Sequence, residues 1–185
     1  MRGFTLLETL VAVTILTLAV AGPLTSASRA VIAAQTASQQ LTASYLAQEG
    51  IEYVRLMRDD ESLAFYSGGG PASAWTDFIT GSSASSITGC RSSACTLDPL
   101  SSMGTGSGHS LSPCSGNSCG SLYLRPDGIY TEQSGAAGAV KTPYTRTLQA
   151  VDISASDERI TSKVQWVSRG TTYTVSVTDH LTPWE

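Results

Sequence analysis

Arg2-Gly3-Phe4-Thr5-Leu6-Leu7-Glu8 opens the chain onto an uncharged run from Thr9 to Ser28, 20 residues long. That is about the length a helix needs to cross the hydrocarbon core of a bilayer. One carboxylate, Glu8, lies just inside the apolar segment, five residues after Gly3. A charge at mid-bilayer costs about 2.5–3.5 kcal/mol on insertion scales, and less near the interface. A chain that keeps a carboxylate there is expected to meet a cation.

Helical periodicity continues past this run. Ala43, Leu46, Ala47, Gly50, Ile51, Val54 and Met57 recur at three- and four-residue steps and make one apolar stripe. Glu52 and Arg55 are spaced to pair on the other side. Asp59-Asp60-Glu61 opposes the C-terminal helix dipole, so the helix is predicted to stop near Met57 or Arg58. A helix from Phe4 to Met57 would be about 80 Å long. Gly22-Pro23 interrupts it, where a missing backbone donor predicts a kink or local melting.

From Leu63 to Gly120 the periodicity dissolves into Ser- and Gly-rich sequence. Ser67-Gly68-Gly69-Gly70-Pro71 is a breaker. Trp75, Phe78 and Ile79 read as a short amphipathic turn anchored on the core. Cys90 to Cys95 and Cys114 to Cys119 share one spacing. Four cysteines allow three connectivities. The repeated spacing favours local clips, Cys90–Cys95 and Cys114–Cys119. The nested pairing Cys90–Cys119 and Cys95–Cys114 is the alternative. Either one would staple a loop too poor in apolar residues to hold itself by burial.

Strand alternation then takes over. Leu122 and Leu124 flank Tyr123, and Pro126-Asp127-Gly128 turns the chain into Ile129-Tyr130. Tyr144 to Ile153 reads as a strand with a bulge near Ala150-Val151. Ile160, Val164 and Trp166 alternate with polar residues, Ser168-Arg169-Gly170-Thr171 turns, and Tyr173, Val175 and Val177 alternate with Thr172, Thr174, Ser176 and Thr178. This predicts a hairpin with an apolar face over the helix stripe and a solvated, Thr-rich face.

The N-terminal residues resemble the type IV prepilins and their relatives, the pseudopilins. Gly3, Phe4, Thr5, Leu6, Leu7, Glu8 and the apolar stretch through Leu24 carry the resemblance, which covers only the N-terminal part of the chain closely. It implies that a prepilin peptidase cuts between Gly3 and Phe4 and methylates the new amine of Phe4. It also implies that Glu8 pairs with the N-terminal amine of a neighbouring subunit, and that Gly22-Pro23 marks where the helix loosens on entering a filament. The leader Met1-Arg2-Gly3 is short for the family, which fits a minimal leader or a start further upstream. A secretory signal ending in Thr25-Ser26-Ala27-Ser28 competes, but Glu8 is misplaced in its apolar region. A plain membrane anchor leaves Gly3, Phe4 and Glu8 unexplained together.

A net charge of −4 speaks against a broad nucleic-acid surface, and no specific nucleic acid is expected. Cys90, Cys95, His109, Cys114 and Cys119 could ligate zinc, but an exported domain favours disulfides. His109 lies in a Ser/Gly-rich loop and His180 reads as a surface residue at a strand end, so neither is placed as a base beside a nucleophile. Asp127, Asp152, Asp157 and Glu158 show no calcium-loop spacing. Neither catalysis nor a cofactor is expected.

The expected fold is α+β, a long N-terminal helix kinked near Gly22-Pro23 and packed on a C-terminal antiparallel sheet, with a disulfide-containing loop region. The divisions are residues 1–3 as leader, 4–28 as transmembrane or filament-core half-helix, 29–58 as amphipathic half-helix, 59–120 as loop region and 121–185 as sheet head. The resemblance implies a structural filament subunit for attachment, motility or uptake; the uneven Ser/Gly loops and the disulfide-clipped insert point to a minor or specialised one, with a major subunit as the open alternative. Its partners would be other pilin subunits, the prepilin peptidase and an inner-membrane assembly platform. It would sit in the cytoplasmic membrane as a single-pass protein, head outside, before assembly into an extracellular pilus. The alternatives are a pseudopilin of a type II secretion system and an anchored adhesin outside any filament.

Overall fold

The structure, a computed structural model, describes residues 5–66, 68, 70–81, 85–100, 111–115 and 119–183. The chain divides into two units, Met1–Leu41 and Thr42–Glu185. Helix α1, Leu6–Tyr66, supplies the described part of the first and the opening of the second. It stays helical through Gly22-Pro23, so the local melting expected there is not found. Proline still withholds the amide that the Ala19 carbonyl would otherwise accept. The expected stop near Met57 or Arg58 is also corrected, since the helix runs on to Tyr66. An acid in the last turns costs only about 0.3–1 kcal/mol. Here Glu61 is buried on the head side and Arg58 pairs with Asp59 at 2.8 Å.

In the second unit the stripe on α1 meets a five-stranded antiparallel sheet of order β2-β1-β6-β7-β8. Its strands are β1 (Cys95–Leu97), β2 (Leu111–Pro113), β6 (Tyr144–Ser154), β7 (Asp157–Ser168) and β8 (Thr171–Leu181). A smaller sheet, β4-β3-β5, is built from β3 (Tyr123–Leu124), β4 (Tyr130–Thr131) and β5 (Val140–Lys141). Ala43, Leu46 and Ala47 pack with Leu122, Tyr144 and Trp166. Ile51, Val54 and Met57 pack with Phe78, Leu148 and Ile160. Burying one such large side chain contributes roughly 1.5–3 kcal/mol, so the two patches hold the sheet on the helix. Gly50 lets them approach closely. A methyl group there would stand 2.5 Å from Ser162 Oγ and 3.2 Å from Leu148 Cδ2.

The region 59–120, expected as loop, carries more regular structure than its composition shows. Helix α2, Pro71–Thr80, opens on a proline at its first turn and buries Ala74, Trp75 and Phe78. Trp75 Nε1 donates to the Ala155 carbonyl at 2.9 Å, tying α2 to the β6–β7 turn. A short helix α3, Thr88–Ser92, leads into β1. The structure joins Cys90 to Cys95 and Cys114 to Cys119. Cys90 and Cys95 sit in the core, so the first clip also fills it.

The β6–β7–β8 meander follows the alternation of the sequence. The irregularity in β6 lies between Asp152 and Ser154, slightly beyond the Ala150-Val151 position expected. The β7–β8 turn has two residues, Arg169 and Gly170, both at positive φ (53° and 80°). That is the turn whose twist matches paired strands. Trp166 and its cross-strand partner Tyr173 stack with ring centroids 5.4 Å apart.

Candidate assembly and processing site

Thr5 starts the helix. Its Oγ1 accepts the Glu8 amide at 3.3 Å, and its carbonyl accepts the amides of Glu8 and Thr9 at 3.0 and 3.2 Å. Thr5-Leu6-Leu7-Glu8 is thus the Thr-x-x-Glu pattern of a capping box, with the carboxylate in the first turn, where the helix dipole favours it. The signal is plain in the sequence, yet a reading of Glu8 only as a charge awaiting a cation passes over it. The two roles agree, since a capped first turn holds the carboxylate at the helix start. Gly3 and Phe4, the residues expected at the cut, lie outside the described residues.

The helix that follows is apolar on every side. Leu6, Leu7, Leu10, Val13, Ile15, Leu16 and Leu18 are all exposed and spread around the helix. A helix of this kind belongs in a membrane or inside a bundle. Its hydroxyl groups suit that setting. Thr9, Thr14 and Thr17 donate to the carbonyls of Leu6, Val11 and Thr14 at 2.8–2.9 Å. Thr25 and Ser26 donate to the Gly22 carbonyl, and Ser28 to that of Leu24. Each hydroxyl is satisfied by its own helix, which removes most of the cost of taking it out of water. The most hydrophobic 18-residue window has a mean hydropathy of 1.9, enough to cross a membrane by length and composition.

The head contains buried charge that sequence reading missed. Arg146 is fully buried on β6. It pairs with Glu49 of α1 and donates to the carbonyls of Leu46 and Leu97 at 3.2 and 2.9 Å. Beside it, burial pushes the Glu132 carboxyl up to about 7, with Arg146 opposing the rise and Asp98 adding to it. Asp98 in turn accepts Thr131 Oγ1 and Gln133 Nε2, both at 2.9 Å. These bonds fasten the small sheet to the body of the head. Arg91 bridges Asp152 and Glu158 at 2.8 and 3.0 Å, and burial raises the Glu158 carboxyl above its ordinary range. His180 pairs with Asp157 at 2.9 Å on the exposed face. Among the described residues no group of three or more His, Cys, Asp and Glu is arranged to hold a metal ion. His109 lies outside the described residues.

The first turn, which follows Gly3 closely in the sequence, is thus capped, apolar and carboxylate-bearing. Residues 1–22 match the family model described as the prokaryotic N-terminal methylation motif. This is the prepilin signal of type IV pilins and pseudopilins. It supports a pilin-like or pseudopilin precursor, implying processing by a peptidase and assembly with other pilin subunits. With the apolar helix it fits membrane anchoring before assembly. No curated protein and no solved structure matches the chain.

Proposed function

We propose that this chain is a structural, non-catalytic subunit of a type IV pilus-like filament. It inserts into the cytoplasmic membrane with its head outside, is cut between Gly3 and Phe4, and is methylated on Phe4. The observation that carries this reading is the helix start at Thr5, followed by apolar side chains on all sides whose hydroxyl neighbours are bonded internally. Such a segment passes from lipid into a bundle of like helices with its apolar surface covered throughout. Glu8 sets axial register by pairing with the amine of the neighbouring Phe4. The buried disulfide and the pinned small sheet support a rigid head carried outside the cytoplasm.

The test is intact mass and N-terminal sequencing of protein sheared from producing cells. A chain beginning at methylated Phe4, four hydrogens short of the reduced mass for its two disulfides, is the expected result. A chain beginning near Arg29, or one keeping Met1 and confined to membranes, overturns it.

A further inference from the structure

Strand β8 closes one side of the main sheet, and its outer edge pairs with no strand among the described residues. An edge of this kind offers a row of free amides and carbonyls, and proteins usually blunt it with lysine, proline, a bulge or a short strand. The opposite edge is blunted. There β2 has three residues and ends on Pro113. In contrast, β8 runs for 11 residues, and its register with β7 is unbroken from Leu181 to Thr171. Thr171 to Thr178 holds no charge and no proline.

The backbone groups on that edge can be assigned. The closing pair of a two-residue hairpin exchanges both its hydrogen bonds, and the parity alternates from there. Ser168 and Thr171 are that pair. Every second position from Thr171, through Tyr173, Val175 and Val177, therefore bonds to β7. Thr172, Thr174, Ser176, Thr178 and His180 direct their amides and carbonyls outward.

We propose that this edge docks an extended strand from the head of a second, non-identical pilin-like subunit, an inference that rests on the filament reading above. A second copy of this chain fits badly. Antiparallel pairing of β8 with itself has a two-fold axis normal to the sheet, which reverses the Thr42–Tyr66 stretch of α1 lying on that sheet. Two heads entered from one membrane need their Thr42 ends turned towards it. Parallel pairing with the other edge of a copy meets only three residues and a proline. A different subunit of the same class is anchored in the same membrane and brings its head alongside. Its strand needs alternating apolar and hydroxyl residues, to extend Tyr173, Val175 and Val177 on one face and Thr172, Thr174 and Ser176 on the other.

The experiment places a photo-crosslinking amino acid at Thr174 of the full chain in producing cells, with a second position at Leu10 in the exposed apolar helix. Adducts are identified by mass spectrometry. The expected Thr174 adduct is a head peptide from another subunit bearing the N-terminal methylation motif. Ser176→Pro removes an outward amide, a change edge strands tolerate. It should cut that adduct about tenfold or more while Leu10 adducts and protease resistance of the head persist. If Ser176→Pro leaves the head protease-sensitive, Thr172→Pro carries the same test. A Thr174 adduct with a second copy only, no Thr174 adduct while Leu10 adducts form, or full yield in a folded proline variant overturns the docking edge and leaves the filament reading standing. Absence of adducts at both positions overturns both.

Discussion

At Gly50 the helix lies close against the sheet, and replacing it gives a quantitative test of that packing. The added methyl of Gly50→Ala would stand 2.5 Å from Ser162 Oγ, 3.2 Å from Leu148 Cδ2 and 3.3 Å from Ser162 Cβ. Alanine gains about 1 kcal/mol of helix propensity over glycine. Overpacking a closed core costs about 1–3 kcal/mol. The clash is expected to win, for a net loss on the order of 1 kcal/mol. Ser162 Oγ is itself buried, with no hydrogen-bond partner among the described residues. Ser162→Ala alone is therefore expected to be neutral or to stabilise by about 1 kcal/mol. In the double variant the shortest contact is gone and the propensity gain remains. The cycle should thus show a favourable coupling of about 1–2 kcal/mol between the two sites. The assay is thermal unfolding of the full oxidised chain in detergent, followed by the fluorescence of buried Trp75 and Trp166. For a head of this size 1 kcal/mol corresponds to a shift of about 3 °C. A Gly50→Ala variant that melts above the parent, with no dependence on residue 162, would refute the close approach.

Other expectations concern charge. The folded head holds the Glu132 carboxyl at about 7 against an ordinary 4.5, so its stabilisation is full at acid pH and is lost as pH rises through about 7. Because this side chain is partly solvated, the loss should be on the order of 1 kcal/mol between pH 5 and 8. Melting temperatures of the parent should fall over that range, while those of Glu132→Gln stay flat by comparison. Arg146→Met should cost about 3 kcal/mol by stranding Glu49 and the Leu97 carbonyl, and adding Glu49→Met should restore most of it. Denaturant melts of the two variants decide this, and equal instability of both would count against the ion pair. Glu8→Ala should insert in the membrane normally but enter filaments poorly, as read by the amount recovered in sheared surface material. Normal recovery would remove the register role.

The periodic parts of the fold were legible because their neighbours in sequence repeat their environment. Ile160, Val164 and Trp166 alternate on β7, and Leu46, Gly50, Val54 and Met57 share a helix face, so pattern alone places them. The buried Arg146 sat in that same alternation, between Tyr144 and Leu148, and its inward position could have been read from the period. What hides it in the sequence is its charge, because the partner that neutralises it, Glu49, lies far away in the chain. The helix end was misplaced because the Asp59-Asp60-Glu61 penalty is small beside one buried face. Strand β1 is three residues long and offers no period to read. Its place between β2 and β6 depends on pairings such as Cys95 with Leu148, which local sequence does not encode. At the N-terminal end the glycine, aromatic and glutamate spacing carries the reading, and the Thr5-Leu6-Leu7-Glu8 pattern also encodes the cap.

The stripe on α1 and the strands that cover it are made at different times. Met57 ends the stripe, and β6 begins at Tyr144, so about ninety residues must be synthesised between them. At about 5–20 residues per second, the stripe waits roughly 4–18 s in each new chain for its first long strand. During that interval the head has its scaffold and part of its core, but not the long strands that close it. The Ser- and Gly-rich middle is thus also a delay, and a chain halted within it presents a helix stripe that only Phe78 and its neighbours, not the long strands, can cover.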